Sequence, residues 1–477
     1  MLFDSPAYFV FLIPVVLIYW RLNRREQNIF LLFASYFFYG WWDWRFLALM
    51  ICSTTADFLI AQKIDPEKAD NNRRKWFIFS LVLNFSILGT FKYFNFFVDS
   101  FSAALGTMGV HNIPMPLIRI LLPPGISFYT FQEVAYIVDV YKGRLQPAKS
   151  FVEYGLFVSL FPHLIAGPIQ RPGHLLPQVQ RERSFDPDRI FDGIMLIFSG
   201  LIRKCVVADN CAVLANAAFG GQFGKPTLWV VLLGTYAFAW QVYGDFSGYS
   251  DIARGSAQLM GFHFMVNFRQ PYLSQRLQEF WRRWHISLSS WLRDYLYIPL
   301  GGSSGGKWKT SLNLIATMVL AGLWHGANWT FVIFGAIHGV VLSLERLIFP
   351  AAKGATDAVQ PRGFANFLSI WGQRILTFNV FCLSLAYFRA TSLAAATQYL
   401  GGLSDFAWRS EYGTAFLMLS LFSVPLFVVD LLMEAGKEEY PFANTSYAFR
   451  TALATTAFVV LALFSGSNLN AFVYFRF

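Results

Sequence analysis

Apolar stretches of roughly 15 to 25 residues recur along the whole chain, separated by short polar or basic connections, and helices of that length can cross a bilayer core. The pattern predicts an all-α, polytopic membrane protein rather than a soluble protein with an anchor. Spans are expected at 9–20, 29–40, 46–61, 77–97, 117–140, 190–207, 228–243, 311–325, 329–349, 370–388, 416–432 and 451–464, which makes about 11 to 13 transmembrane or re-entrant helices around a central funnel or passage. Two apolar stretches are broken by Pro and Gly: Leu121-Leu-Pro-Pro-Gly-Ile-Ser-Phe-Tyr-Thr-Phe-Gln132 and Leu160-Phe-Pro-His-Leu-Ile-Ala-Gly-Pro-Ile169. Irregular backbone at membrane depth must be shielded by protein or line a cavity. These stretches are therefore either re-entrant elements walling a passage or ordinary proline kinks. The connections 351–362 and 434–446 read as soluble loops. No solenoid repeat or inverted half is visible, which counts against a secondary transporter. Residues 1–477 are read as a single integral-membrane domain.

Composition supports the same picture. Of 477 residues, 55% are hydrophobic and 18% aromatic, and only 14% are charged, against about 25% in soluble domains. Disorder and collagen are excluded. Cys52, Cys205, Cys211 and Cys382 are scattered, which points to free thiols rather than a disulfide scaffold. The net charge of +10 resides in the connections. Arg21, Arg24 and Arg25 follow the first span, and Lys63, Lys68, Arg73, Arg74 and Lys75 follow the third. An even number of crossings separates these clusters, so both lie on one side, and the positive-inside rule makes that side cytoplasmic and the N-terminus outward-facing. Insertion explains the basic charge, and no nucleic-acid partner is implied. Asp4 precedes the first apolar run, and no small-residue cleavage site follows it, so no cleaved signal peptide is read.

Candidate chemistry concentrates in three blocks. The first, Phe280-Trp-Arg-Arg-Trp-His-Ile-Ser-Leu-Ser-Ser-Trp-Leu-Arg-Asp-Tyr-Leu-Tyr-Ile-Pro-Leu300, gathers Arg282, Arg283, His285, Arg293 and Asp294 among aromatic rings. It is too polar to face lipid. It reads either as an interfacial anchor helix or as the lining of a cavity. Asp294 is within reach of Arg293 or Arg283. The second block is Ala321-Gly-Leu-Trp-His-Gly-Ala-Asn-Trp-Thr-Phe-Val-Ile-Phe-Gly-Ala-Ile-His-Gly339. Gly322 and Gly326 beside His325 permit close approach by a backbone or a substrate. A buried, neutral imidazole could accept a hydroxyl proton, or it could be a satisfied core histidine. His338 reads as a structural hydrogen-bond partner. The third block, Gln241-Val-Tyr-Gly-Asp-Phe-Ser-Gly-Tyr-Ser-Asp251, sets Tyr243 and Asp245 in an apolar region. It is either a self-satisfied helix junction or the wall of a substrate passage.

Other motifs fail. The separations between His285, His325 and His338 are far wider than the short ligand spacings of zinc sites, so no metal is expected. No G-x-S-x-G elbow is present. Gly301-Gly-Ser-Ser-Gly-Gly-Lys307 matches a phosphate-binding loop up to its lysine, but Trp308 stands where Ser or Thr would hold magnesium. It reads as a flexible turn. Asn444-Thr-Ser446 is a weak glycosylation match.

The chain resembles the membrane-bound O-acyltransferases, in particular the bacterial branch concerned with alginate and teichoic acids. The blocks that carry the resemblance are Tyr243-Gly-Asp-Phe-Ser-Gly-Tyr-Ser-Asp251, Asn267-Phe-Arg-Gln-Pro-Tyr272, Phe280-Trp-Arg-Arg-Trp-His-Ile-Ser-Leu288, Trp291-Leu-Arg-Asp-Tyr-Leu-Tyr-Ile-Pro-Leu-Gly-Gly302 and Trp324-His-Gly-Ala327. Pro124–Gln132, Phe161–Pro168 and Phe388-Arg-Ala390 match more weakly. The resemblance implies that His325 is catalytic and that His285 is the second signature residue. It implies an acyl group, most simply acetyl, passed from a cytoplasmic thioester such as acetyl-CoA or an acyl carrier to an exported polysaccharide or to periplasmic acetyltransferase subunits. No resident cofactor is expected beyond that donor. The expected location is the bacterial inner membrane. Arg282 and Arg283 are candidates to pair with donor phosphates, and Asp294, Asp245 and Tyr243 to bind substrate. A non-catalytic acyl conduit that feeds a separate transferase is the competing class, and a solute transporter is third.

Overall fold

The computed structural model describes residues 1–67, 71–110, 120–165, 167–349, 364–438 and 440–465, and every regular element among them is helical. Five of the helices are long and apolar enough to cross a membrane: Trp44–Lys63, the continuous run Arg73–Thr107, Trp329–Ile348, Ser410–Gly436 and Tyr447–Phe464. Their outward faces remain apolar, as a hydrocarbon surround requires: Leu417, Phe458 and Leu463 are exposed, and Arg450 is the buried residue of the last helix. The protein is a multi-pass membrane protein. The connection 351–362 lies outside the described residues.

The residues group into two compact units. The first comprises Met1–Ile197 and Ile252–Met265. Its helices are tied by polar groups that lipid could not satisfy. Glu133 is fully buried and accepts from Thr54 Oγ1 at 2.8 Å and Ser53 Oγ at 3.2 Å. Asp57 accepts from Ser80 Oγ at 2.5 Å and from Asn84 Nδ2 at 2.7 Å. Both proline-bearing stretches leave the helical path near their Pro and Gly positions. Helix Ile126–Tyr141 begins after Gly125, which sits at φ 73° with its Cα against the Leu164 carbonyl. An added Cβ would meet that oxygen at 2.6 Å, so only glycine fits. Helix Phe151–Ser159 stops at Leu160, and a single turn, Phe161–Leu164, follows. The second stretch is thus a broken element rather than a simple kink, and the first holds the start of a helix.

The second unit comprises Phe198–Asp251 and Val266–Phe477. Helix Leu228–Gln258 runs much further than the hydropathy-based span 228–243. Its polar residues are buried in the fold, so the helix continues where hydropathy falls. A π-helical segment, Ile202–Ala208, lies against it. The approach depends on Gly244 and Gly248, where a Cβ would meet the Arg203 and Gly200 carbonyls at 2.7 and 2.6 Å. Small residues four apart allow this close backbone contact. Helices Gly306–His325 and Trp329–Ile348 form a tight hairpin. A Cβ on Gly322 would collide with the Phe331 carbonyl, and one on Gly335 with the Met318 carbonyl. Of the small neighbours of His325, Gly322 thus serves the approach of another backbone, and Gly326 makes room for the Phe331 ring. Gly301 and Gly302 have positive φ and lie in a turn, and Gly306 and Lys307 open the helix that follows it.

Candidate functional site

His325 is the last residue of helix Gly306–His325, and Gly326 follows it in extended conformation at φ −169°. His285 lies between two short helices, Leu277–Arg283 and Ile286–Leu292, each too short to cross a bilayer. Its backbone is left-handed, at φ 44° and ψ 53°, a conformation uncommon for a residue with a Cβ. The fold brings the two histidines together across 40 positions of sequence, with ring centroids 6.5 Å apart. Both are buried: His285 is 0% and His325 4% exposed. Aromatic rings close around them. Phe246 meets His285 edge-on at 4.6 Å, Trp324 lies 5.6 Å from His285, and Phe388 lies 5.4 Å from His325. Burial, with a smaller contribution from neighbouring His325, pushes the His285 pKa well below the usual histidine range and keeps the imidazole neutral. Phe388 belongs to one of the weaker signature stretches, so that stretch also reaches the site.

His338 is placed differently. Its Nδ1 accepts from Trp281 Nε1 at 3.2 Å, and its Nε2 lies 2.9 Å from Ser384 Oγ. Ser384 spends its own hydrogen on the Phe381 carbonyl at 2.6 Å, so His338 Nε2 is the donor. Both ring nitrogens are occupied, and the residue is structural.

The Arg/Trp block divides. Arg283 is bound by Glu434, and also by Glu279 at 2.7 Å. Asp294 pairs with Arg293 at 2.7 Å, not with Arg283. Arg282 is exposed. Tyr243 and Asp245 lie in a buried polar network. Tyr243 donates to Asp430 Oδ2 at 2.8 Å and accepts from Arg203 Nη1 at 3.2 Å. Lys204 sits 2.8 Å from Asp209 and 3.0 Å from Asp245. Arg203, Lys204 and Asp430 were not anticipated from sequence; charged residues inside apolar runs were the available signal. Asn267, which touches His285, stood inside a quoted block without being singled out.

A cavity of about 250 Å³ in the same unit is walled by Trp240, Tyr272, Trp371, Phe378 and Phe427 and includes Arg374. Neither His285 nor His325 lines it.

Residues 148–385 match the membrane-bound O-acyltransferase family. A probable alginate O-acetylase of Pseudomonas syringae pv. tomato is 41% identical over 421 residues, covering 87% of this chain and 78% of the relative. A peptidoglycan O-acetyltransferase of Helicobacter pylori is 33% identical over 84% of this chain and 80% of its own length. A teichoic acid D-alanyltransferase of Bacillus subtilis is 29% identical over 49% of this chain and 60% of the relative. With the signature histidines buried side by side and relatives at 41% and 33% identity matched over 78% and 80% of their own length, the chain belongs to the membrane-bound O-acyltransferase family and is an O-acyltransferase.

Proposed function

We propose that the protein moves an acetyl group from a cytoplasmic thioester, acetyl-CoA or an acyl carrier, to hydroxyls of an exported cell-envelope polysaccharide such as alginate, or to a periplasmic partner transferase. The named acceptors of the relatives (alginate, peptidoglycan and teichoic acid) are all envelope polymers, which supports this acceptor class. The observation that carries the reading is the buried pair His285 and His325. In this reading the protein sits in the bacterial inner membrane with its N-terminus periplasmic.

The chemistry follows from a neutral imidazole in a low-dielectric site. Histidine takes the proton of the acceptor hydroxyl as its oxygen attacks the thioester carbonyl. A C–O bond forms, the C–S bond breaks, and the departing thiolate recovers the proton. In the alternative route His325 first carries the acetyl group and then yields it to the hydroxyl. Phe246 and Phe388 pack directly on the two imidazoles, so they border any path by which donor and acceptor reach them.

The test is His325→Ala in purified protein supplied with labelled acetyl-CoA and an unacetylated polymer. Acetyl transfer should fall by at least about 100-fold, with membrane levels near normal. Near-wild-type transfer would remove His325 from the mechanism. His285→Ala should be equally impaired, and its yield and thermal midpoint separate loss of chemistry from loss of fold.

A further inference from the structure

We infer that Asn267 is the positioning residue of the histidine pair, holding His285 in the tautomer that carries hydrogen on Nδ1 and a bare lone pair on Nε2. The inference rests on the reading of His285 as part of the reacting pair.

The backbone N–H of Ser287 can only donate, and it points to the side chain of Asn267 at 3.2 Å. The Asn267 atom facing it must therefore be the oxygen, which fixes the orientation of the amide. The same oxygen accepts from Ser287 Oγ at 2.9 Å. The other end of the amide, Nδ2, donates to Ser250 Oγ at 3.1 Å. His285 Nδ1 lies 3.2 Å from the fixed oxygen. An amide oxygen cannot donate, so Nδ1 must hold the hydrogen, and the neutral ring then has its lone pair on Nε2. Ser287 Oγ approaches Nδ1 only at 3.5 Å, and it has the closer acceptor in Asn267.

The backbone reinforces the arrangement. Ile286 N–H donates to the Asn267 carbonyl at 2.9 Å, and Arg269 N–H donates to the Arg283 carbonyl at 2.9 Å. Asn267 thus clamps the left-handed turn at His285 from both its main chain and its side chain. All four polar partners are closed from solvent: Asn267, Ser250, Ser287 and His285 are at most 1% exposed. Nε2 of His285 is buried with no hydrogen-bond partner among the described residues. A buried acceptor left open is costly in a purely structural site. It suits a site where a substrate hydroxyl, or a proton released in the reaction, arrives. His338 makes the contrast, since both of its nitrogens are occupied.

The experiment compares Asn267→Leu, Asn267→Asp and His285→Ala in purified protein. Asn267→Leu removes the acceptor at similar volume; it should lower kcat by at least about tenfold and leave KM for the acetyl donor within about twofold. Asn267→Asp keeps an acceptor for Nδ1–H and adds a negative charge. It should retain kcat within about fivefold near neutral pH and move the acidic limb of the pH profile upward by about one unit, because the carboxylate favours the imidazolium. His325 is the titratable group facing His285; the other touching residues, Phe246, Trp324, Asn267 and Ser287, carry no charge. An acidic limb unmoved in Asn267→Asp overturns the inference, even if Asn267→Leu fails to fold. So does a wild-type kcat in folded Asn267→Leu. If His285→Ala itself transfers acetyl normally, the reading of the reacting pair fails instead.

Discussion

Arg283 grips Glu434 with two parallel hydrogen bonds, Nη1 to Oε2 at 2.8 Å and Nη2 to Oε1 at 2.9 Å, across 151 positions of sequence. Glu279 holds the same guanidinium at 2.7 Å. The contact joins the short helix before His285 to the end of helix Ser410–Gly436. Burial disfavours the charge on Arg283, but the two carboxylates more than offset it, so the group stays ionised. Fork-to-fork geometry of this kind adds direction as well as energy. The arginine is committed to the protein, which leaves its exposed neighbour Arg282 as the better candidate for an incoming anion.

Arg282 and Arg283 should therefore separate by substitution. Arg283→Gln should lower the thermal midpoint in detergent, by a loss of about 1 to 2 kcal/mol given partial exposure, and leave KM for acetyl-CoA unchanged. Arg282→Gln should raise that KM with unaltered stability and reduce the salt sensitivity of activity. If Arg282→Gln has a wild-type KM, the donor phosphates bind elsewhere.

Lys204 should be indispensable for folding. Its ammonium lies between Asp209 and Asp245, with side chains 1%, 8% and 2% exposed. Lys204→Met leaves both carboxylates without this cation and should cost about 3 to 5 kcal/mol, seen as low yield after extraction. Lys204→Met combined with Asp245→Asn should recover part of the loss. A fully stable single variant would show that the pair contributes little.

The helix hairpin offers a steric test. Gly322→Ala places a methyl group on the Phe331 carbonyl; overpacking of this kind costs about 1 to 3 kcal/mol. Because His325 lies one turn further on, activity should fall along with the thermal midpoint. Gly372, inside helix Phe364–Arg389, has no neighbour within 4 Å of an added Cβ, so Gly372→Ala should leave activity unchanged and hold or raise the thermal midpoint. Equal effects at the two positions would contradict the close packing.

Acid stability should carry the imprint of His285. Its folded pKa is depressed below the unfolded value of about 6.5. Above that pH both states are neutral and nothing is lost. As pH falls below it, the unfolded chain binds a proton that the folded chain refuses, and stability declines by up to about 1.4 kcal/mol per unit. His285→Ala should remove that part of the slope below about pH 6.5. Identical slopes in the two proteins would argue that His285 protonates freely in the fold.

Membrane residence and the all-helical class were legible in the sequence because each is a local property of apolar runs, and the blocks around His285 and His325 stood out through their resemblance to a family. Even the broken stretches near Pro124 and Pro162 announced themselves through Pro and Gly, which act on their own backbone. What tertiary structure alone decided was partnership. Tyr243 and Asp245 look alike as polar insertions in an apolar run, yet one is bound to Asp430 and Arg203 and the other to Lys204. Hydropathy ended their helix at 243, whereas the fold carries it to Gln258 by burying its polar groups against other helices. Arg283 and Arg282 are adjacent and chemically identical, and only the position of Glu434 distinguishes a structural cation from an exposed one. The hydrogen on His285 likewise depends on an amide 18 positions away. Helix formation and insertion respond to the composition of a segment, but hydrogen bonds and ion pairs respond to distances of a few ångströms, and those exist only once helices far apart in sequence have packed.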